Sequence, residues 1–311
     1  MILAVTMNPS VDISYPLSHL KLNDVNRIKS VQKTAGGKGL NVARVIKQMG
    51  EDVITTGVLG GTTGEFICQE LIKMNIKNEF LKINQESRNC IAILHENMQT
   101  EILEAGPTLG FEESDAFLEK FRRLLGKVSS VTISGSLPSG LPTDFYFQML
   151  KISKSEDIPV IIDTSGEALR QVLIHEAKPL AIKPNISELS QLLGVEVGSD
   201  VKSLKLALDH ELFKGIEWIV VSMGSDGAFV RHGGDYYQVM IPKINVVNPV
   251  GSGDATVAGL ACALKRNQPI ETVMKTAMTT GMLNTMESST GSINRLKFEE
   301  YYCLVKLEKI D

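Results

Sequence analysis

At 311 residues, with 43% hydrophobic and 5% aromatic side chains and a formal charge of -4, the chain has an ordinary globular composition. It is long enough for one large core or two smaller ones, and 32 Lys and Arg against 36 Asp and Glu, with no long block of either sign, disfavour a nucleic-acid partner. The cysteines Cys68, Cys90, Cys262 and Cys303 form no Cys-x-x-Cys pair, the histidines show no metal-ligand spacing, and no apolar run approaches the roughly 18 residues of a membrane span; a reduced, cytoplasmic setting is the default.

Residues 2–7 open the chain as a β-branched core strand. Residues 11–34 break the pattern and read as β ribbon. A helical period over 40–49, a strand at 53–59 and a helix over 65–74 follow. Residues 89–104 form a second ribbon, in which CIAILHE and TEILEA flank a turn containing Asn97. Beyond it come a helix over 114–125, a strand at 130–134, a helix over 145–152 and strands at 159–163 and 180–183. A helix over 187–193, a strand at 218–222 with the hairpin-like AFVRHGGDYYQV, and a helix over 255–265 complete the series. Strands alternating with helices predict an α/β domain spanning 1–311, built on a mostly parallel sheet covered on both faces. The ribbons, lacking helices to cover them, are expected to project as a small β-sheet lid formed by about 11–34 and 89–104.

Four glycine-rich or polar segments carry candidate chemistry. In AGGKGLN, residues 35–41, Gly37 and its neighbours let a ligand approach the backbone at a helix start, and Lys38 adds a charge suited to an anion or a sugar oxygen. It is not a Walker A loop, since Lys38 is followed by Gly39 and Gln32 stands at the upstream glycine position; a plain turn before a helix is the alternative. In NPVGSGDATVAGLACAL, Gly251, Ser252 and Gly253 precede an apolar helix with Asp254 in its first turn. A first-turn carboxylate can simply stabilise the helix, but a donor nest beside a proton acceptor suggests phosphoryl transfer. In IKPNISEL, Lys183 ends a strand, and Asn185 and Glu188 follow on a loop and first helical turn as oxygen ligands for a hydrated magnesium ion, although capping explains these two about as well. In VVSMGSDGA, Ser222, Gly224 and Gly227 form a turn at the carboxyl end of a core strand, which reads as a ligand loop or a hairpin.

Taken in order, AGGKGLNVARVIKQMG, SGSLPSG, IKPNISEL, VSMGSDGA and NPVGSGDATVAG resemble the PfkB-type carbohydrate kinases of the ribokinase superfamily, over nearly the whole chain. The resemblance implies a ribokinase-like three-layer sandwich using ATP and Mg2+. Asp254 would be the catalytic base, with the amides of Gly251, Ser252, Gly253 and Asp254 stabilising the developing charge. Asp12, Gly37 and Asn41 would hold the sugar, and Arg27, Lys38 and Arg88 its phosphate. Lys183 and Asn185 would face the nucleotide phosphates and metal, Ser222, Gly224 and Gly227 the ribose and phosphates, and Glu188 a metal-bound water, with an adenine cleft near Asn284. Small departures, Met7 and Met223 for a frequent leucine and Ser252 for a frequent alanine, remove no functional group.

Within the family, TMNPSVDISYPL, LNDVNRIKSVQKTAGGKGLN, and RNCIAIL followed by TEILEAGP are similar to members acting on ketohexose phosphates. They imply phosphorylation of D-tagatose 6-phosphate at its 1-hydroxyl, in lactose and galactose catabolism, with fructose 1-phosphate or fructose 6-phosphate as the alternative acceptor. A homodimer through the lid is also implied. A nicotinamide-dependent oxidoreductase needs a glycine turn directly after the first strand, where this chain reads MNPSVD. A noncatalytic sugar-phosphate sensor would have no need of the intact Asp254 constellation.

Overall fold

The computed structural model describes residues 1–96 and 98–310; the expected turn residue Asn97 lies outside them. The first third of the chain forms β1 (Ile2–Thr6), β2 (Ser10–Pro16), β3 (Gln32–Gly36), α1 (Lys38–Gln48), β4 (Val53–Gly60), α2 (Gly61–Lys73), the short β5 (Lys77–Asn78) and β6 (Leu81–Ile83), β7 (Arg88–His95) and β8 (Met98–Leu103). The middle forms α3 (Phe111–Leu125), β9 (Ser130–Ser134), α4 (Phe145–Ser155), β10 (Val160–Asp163), α5 (Gly166–Leu173), β11 (Ala181–Ile182), α6 (Ile186–Leu193) and α7 (Val201–Leu208). The remainder forms β12 (Trp218–Ser222), β13 (Ala228–His232), β14 (Asp235–Met240), α8 (Ser252–Lys265), α9 (Ile270–Thr285), α10 (Phe298–Leu304) and β15 (Lys306–Ile310).

The main sheet has 11 strands in the order β15-β14-β13-β12-β11-β10-β9-β1-β4-β5, with β6 also on β4. From β4 to β12 neighbouring strands are parallel, and β12 to β15 continue as antiparallel pairs. The central strands are buried on both faces, so ILAVT and VIID read as near-continuous apolar runs, whereas SVTIS alternates and buries its hydroxyls, Ser130, Thr132 and Ser134, as fully as its apolar residues. One face packs α1, α2, α8 and α9 through residues such as Leu40, Ile46, Ile67 and Leu260. The other packs α3 to α7 through Phe117, Phe121, Phe145 and Leu204. This is the ribokinase-like α/β sandwich expected from the sequence.

The parallel strands point their carboxyl ends to one edge, where ligands of open α/β sheets bind. Over that edge stands a separate four-stranded sheet, β3-β2-β7-β8, in which β2 runs antiparallel to β3 and parallel to β7. The ribbon expected over residues 11–34 is interrupted: residues 17–31 are irregular and mostly exposed. Pro16 ends β2 because it lacks an amide donor, and Asn26 ties the loop to itself by bonding both the amide and the carbonyl of Lys21 at 2.9 and 2.8 Å.

Helices α5, α7, α9 and α10 and strand β15 were not anticipated. The 16-residue α9 is the instructive case, since it is buried around most of its circumference and so lacks a polar face. It packs on α8 backbone to backbone: a Cβ on Gly259 would come within 2.3 Å of Thr280 Oγ1, and that hydroxyl donates to the Ala255 carbonyl at 2.7 Å.

Candidate active site

Helix α8 begins at Gly251 in a left-handed conformation, φ 81°, with no side chain capping its amides. A Cβ there would lie 2.4 Å from Thr290 Cγ2, so only glycine permits both the turn and the approach of the 290 segment. The amides of Gly253 and Asp254 precede the first intrahelical bond, from Ala255 to the Gly251 carbonyl at 2.9 Å. They are donors for an anion at the positive end of the helix dipole.

Asp254 is 5% exposed and accepts a 2.7 Å hydrogen bond from Asn41 Nδ2, which reaches it from the first helix. Beside it lies a charge cluster that sequence reasoning missed. Asp163, at the end of β10, holds Lys183 Nζ at 3.3 Å from Oδ1 and Lys38 Nζ at 3.6 Å from Oδ2. A Cβ on Gly253 would approach Lys183 Nζ to 3.1 Å, so the glycine lets this buried ammonium lie against the start of α8. Burial, reinforced by the negative charge of Asp163, pushes the Asp254 carboxyl up to about 6, against the pull of Asn41, Lys38 and Lys183. The charge of Asp163 holds Lys38 above its ordinary value despite burial.

A base must be ionised to accept a proton, so a raised carboxyl pKa limits activity on the acid side. We expect kcat/KM to fall about tenfold per pH unit below an acid limb centred near pH 6. A profile flat to pH 4.5 would remove Asp254 as the proton acceptor.

At the other end of the same cleft, Asp12 projects from β2 with its Oδ1 accepting from Ser10 Oγ at 2.7 Å. Burial raises its carboxyl above the usual range. Gly36 on the paired strand makes room for it, because a Cβ there would sit 2.0 Å from Asp12 Cγ. The cleft, about 750 Å³, runs from Asp12 past Gly37, Lys38 and Asn41 to Gly251, Ser252, Gly253 and Asp254. A smaller polar pocket of about 200 Å³ adjoins it, lined by Lys38, Arg88, Ser134, Gly135 and Ser136 among others. Around it Thr6 Oγ1, Asn8 Oδ1 and Ser134 Oγ are buried without hydrogen-bond partners, a combination suited to a polar ligand. The serines come from SGSLPSG, whose sequence had suggested no individual role.

Lys183, Asn185, Glu188 and Ser222 also line the large cleft. Asn185 and Glu188 also form a capping box for α6, at 2.8 and 2.9 Å, so capping and a position on the cleft wall are both realised. Four expected positions fall elsewhere. Arg27 is exposed within residues 17–31 and lines neither cavity. Gly224 and Gly227 bracket a tight turn outside the lining; a Cβ on Gly227 would meet the Val239 carbonyl at 2.0 Å, a structural demand sufficient to explain that glycine. Asn284 is 1% exposed and does not face a ligand cleft: it donates to the Val250 carbonyl at 2.9 Å and accepts from the Gly291 amide at 2.8 Å.

The family model described as pfkB family carbohydrate kinase matches residues 5–296. Two curated proteins from strains of Staphylococcus epidermidis, each named tagatose-6-phosphate kinase, are 51% identical to this chain over 310 residues, covering 100% of both. Solved structures of phosphofructokinase-2 from Escherichia coli are also similar. The one in complex with potassium aligns with TM-score 0.88 and the one in complex with substrates and products with 0.89, each at 25% identity over 97% of this chain and 98% of that chain.

Proposed function

The chain belongs to the pfkB family of carbohydrate kinases, and from that premise we propose that it transfers the γ-phosphoryl group of ATP to the 1-hydroxyl of D-tagatose 6-phosphate. The products are D-tagatose 1,6-bisphosphate and ADP. The observation that carries the reading is the buried Asp254 carboxylate at an open helix start, with an aspartate-lined sugar cleft and a cationic pocket on one side and Lys183 on the other. Full-length 51% identity to proteins named for tagatose 6-phosphate favours that acceptor over the fructose phosphates.

In this reading Asp12 and the Asn41 region hold the sugar hydroxyls while Lys38 and Arg88 hold the 6-phosphate in the small pocket, with Ser134 and Ser136 as added donors. Asp254 accepts the proton of the 1-hydroxyl. That oxygen forms the new bond to phosphorus as the bridging bond to ADP breaks, and the amides of Gly253 and Asp254 stabilise the charge on the migrating group. Lys183, held by Asp163, faces the nucleotide phosphates. Among the described residues no three His, Cys, Asp or Glu side chains gather as a metal cage. Asn185 and Glu188 would be the protein neighbours of a hydrated Mg2+, which would supply charge neutralisation for the transfer.

The test is ADP release by purified protein with ATP and magnesium, comparing tagatose 6-phosphate, fructose 6-phosphate and fructose 1-phosphate by kcat/KM. A preference of about tenfold or more for tagatose 6-phosphate supports the proposal. A win for fructose 1-phosphate would leave the base in place and overturn the placement of the substrate phosphate. No turnover with any of them would overturn the acceptor class.

The four-stranded sheet serves in this reading as a lid and a dimer surface. It leaves β3 and β8 as unpaired edges and exposes Leu94, Met98 and Ile102, which a second copy would cover. Sedimentation equilibrium at micromolar concentration should give twice the 34.0 kDa chain mass; a strictly monomeric profile rules the interface out. Among the described residues no helix is long and apolar enough to cross a membrane, and the four cysteines are free, in keeping with a cytoplasmic enzyme.

A further inference from the structure

Helix α1 carries an arginine that no part of the above mechanism uses. Arg44 lies one turn beyond Asn41 and is only 7% exposed. Its guanidinium donates to the Ala35 carbonyl in β3, to Asn41 Oδ1, and to the Thr290 carbonyl at 2.9 Å. Packing alone would not call for it, because an aliphatic side chain fills such a site without the cost of burying a charge.

We propose that Arg44 is a positioning residue that fixes Asn41 in the orientation the catalytic base requires. This rests on the kinase reading above. A carboxamide has one accepting and one donating end. With Arg44 occupying Oδ1, Nδ2 is the end that remains for Asp254, and it donates there at 2.7 Å. Freed from Arg44, the amide can flip and set its oxygen against the carboxylate, an arrangement tolerable only when Asp254 is protonated.

The same fork secures the opposite wall. Thr290 supplies the methyl that packs on Gly251, and a Cβ on Gly291 would stand 2.9 Å from the guanidinium. Gln48, one turn further along α1, donates to the Gly291 carbonyl at 3.0 Å and accepts from the Ile293 amide at 2.8 Å. Thus α1 holds the sugar-side strand, the partner of the base and the 290 segment together. The charged groups around this junction are Lys38 on α1, Asp163 on β10 and Lys183 before α6, all near Asp254, together with Asp12 on β2 near Arg44 and Glu188 on α6 near Lys38.

The experiment is a double-mutant cycle of Arg44→Met, Asn41→Ala and the pair. Each protein is assayed for kcat, sugar-phosphate KM and the acid limb of the pH profile, with thermal melting as the check of folding. Arg44→Met should lower kcat by about tenfold or more, move the acid limb up by about half a pH unit or more, and change KM by less than about threefold. Because Arg44 acts through Asn41, the double variant should match Asn41→Ala within about threefold in kcat. Multiplying effects, or an unmoved acid limb in folded Arg44→Met, would overturn the proposal. If Arg44→Met does not fold, the cycle is run with Arg44→Lys, which keeps the charge but cannot set one nitrogen on the Ala35 carbonyl and a second on Asn41 and Thr290 as the planar fork does, and the same criteria decide. Absence of wild-type turnover with all three ketohexose phosphates would overturn the acceptor reading and this proposal together. Wild-type turnover with multiplying effects would overturn this proposal alone.

Discussion

Asp254→Asn is expected to lower kcat by about 10³-fold while leaving the KM values within about threefold, and to raise the melting temperature by about 2 to 4 °C. The two effects share one cause. The site removes the carboxylate from water and places it near Asp163, so its pKa stands at about 6 in the folded protein, against about 3.9 when unfolded. A carboxyl whose folded pKa is raised contributes stability below about pH 4 and loses it as pH rises to about 6, because the native state then binds the proton more tightly than the unfolded chain. At pH 7 the ionised group therefore works against folding. Two pH units correspond to about 3 kcal/mol as a ceiling, and a realised gain of about 1 to 2 kcal/mol allows for the imperfect fit of the new amide. The Asn41 donor keeps an oxygen to bond. The measurement is steady-state kinetics beside a melting curve at pH 7 and again at pH 4.5, where the stability difference should shrink. Undiminished kcat would remove Asp254 from the chemistry, and a lower melting temperature at pH 7 would refute the account of its environment.

Arg88→Ala is expected to raise the KM for tagatose 6-phosphate by about 30-fold and that for ATP by less than about twofold. Arg88 opens β7 at the mouth of the small polar pocket. Its Nε and Nη2 donate to the Asn8 carbonyl at 3.2 and 3.1 Å, and its Nη1 to the Glu104 carbonyl at 3.1 Å. A guanidinium has five N–H donors, so two remain for a ligand while the others hold the fork in place. The two carbonyls keep partial access to solvent, so the stability loss should be small. Arg88→Lys should recover part of the affinity, as a charge without the fork. Equal rises in both KM values would show that Arg88 supports the cleft generally and does not hold the sugar phosphate.

Strand and helix alternation was legible because strands buried on both faces, such as ILAVT and VIID, read as near-continuous apolar runs and most helices carry one apolar stripe. The stripe is what α9 lacks: wedged on α8 and covered around its circumference, it presents Thr, Gly and Met where a polar face would have marked it. The cluster at Asp254 was legible because glycines and an acid at a helix start are local features. Asp163 was not, since a carboxylate ending a strand is ordinary until two lysines from distant segments meet it. Arg44 sits in the plainly helical NVARVIK, where an arginine reads as a solvated surface charge, and only the fold shows that its turn of helix faces inward. Asn284 entered only through the family resemblance, which implies an adenine cleft near it; here both ends of its amide are engaged by backbone. The place of Arg27, on an irregular exposed segment, could not be set by pattern at all.

The hydrogen bond between Asn41 and Asp254 joins residues 213 positions apart. At about 5 to 20 residues per second of synthesis, the ribosome takes roughly 10 to 40 s to extend the chain from one to the other. During that interval α1 carries Asn41 and Arg44 with neither Asp254 nor Thr290 yet made, and β1 must wait for β9 to complete its pairing. The nascent chain therefore holds Asn41 long before the carboxylate that Asn41 bonds. A chain released before residue 254 has Asn41 without its carboxylate partner, and α8 and α9, which complete that face of the core, are among the last elements made.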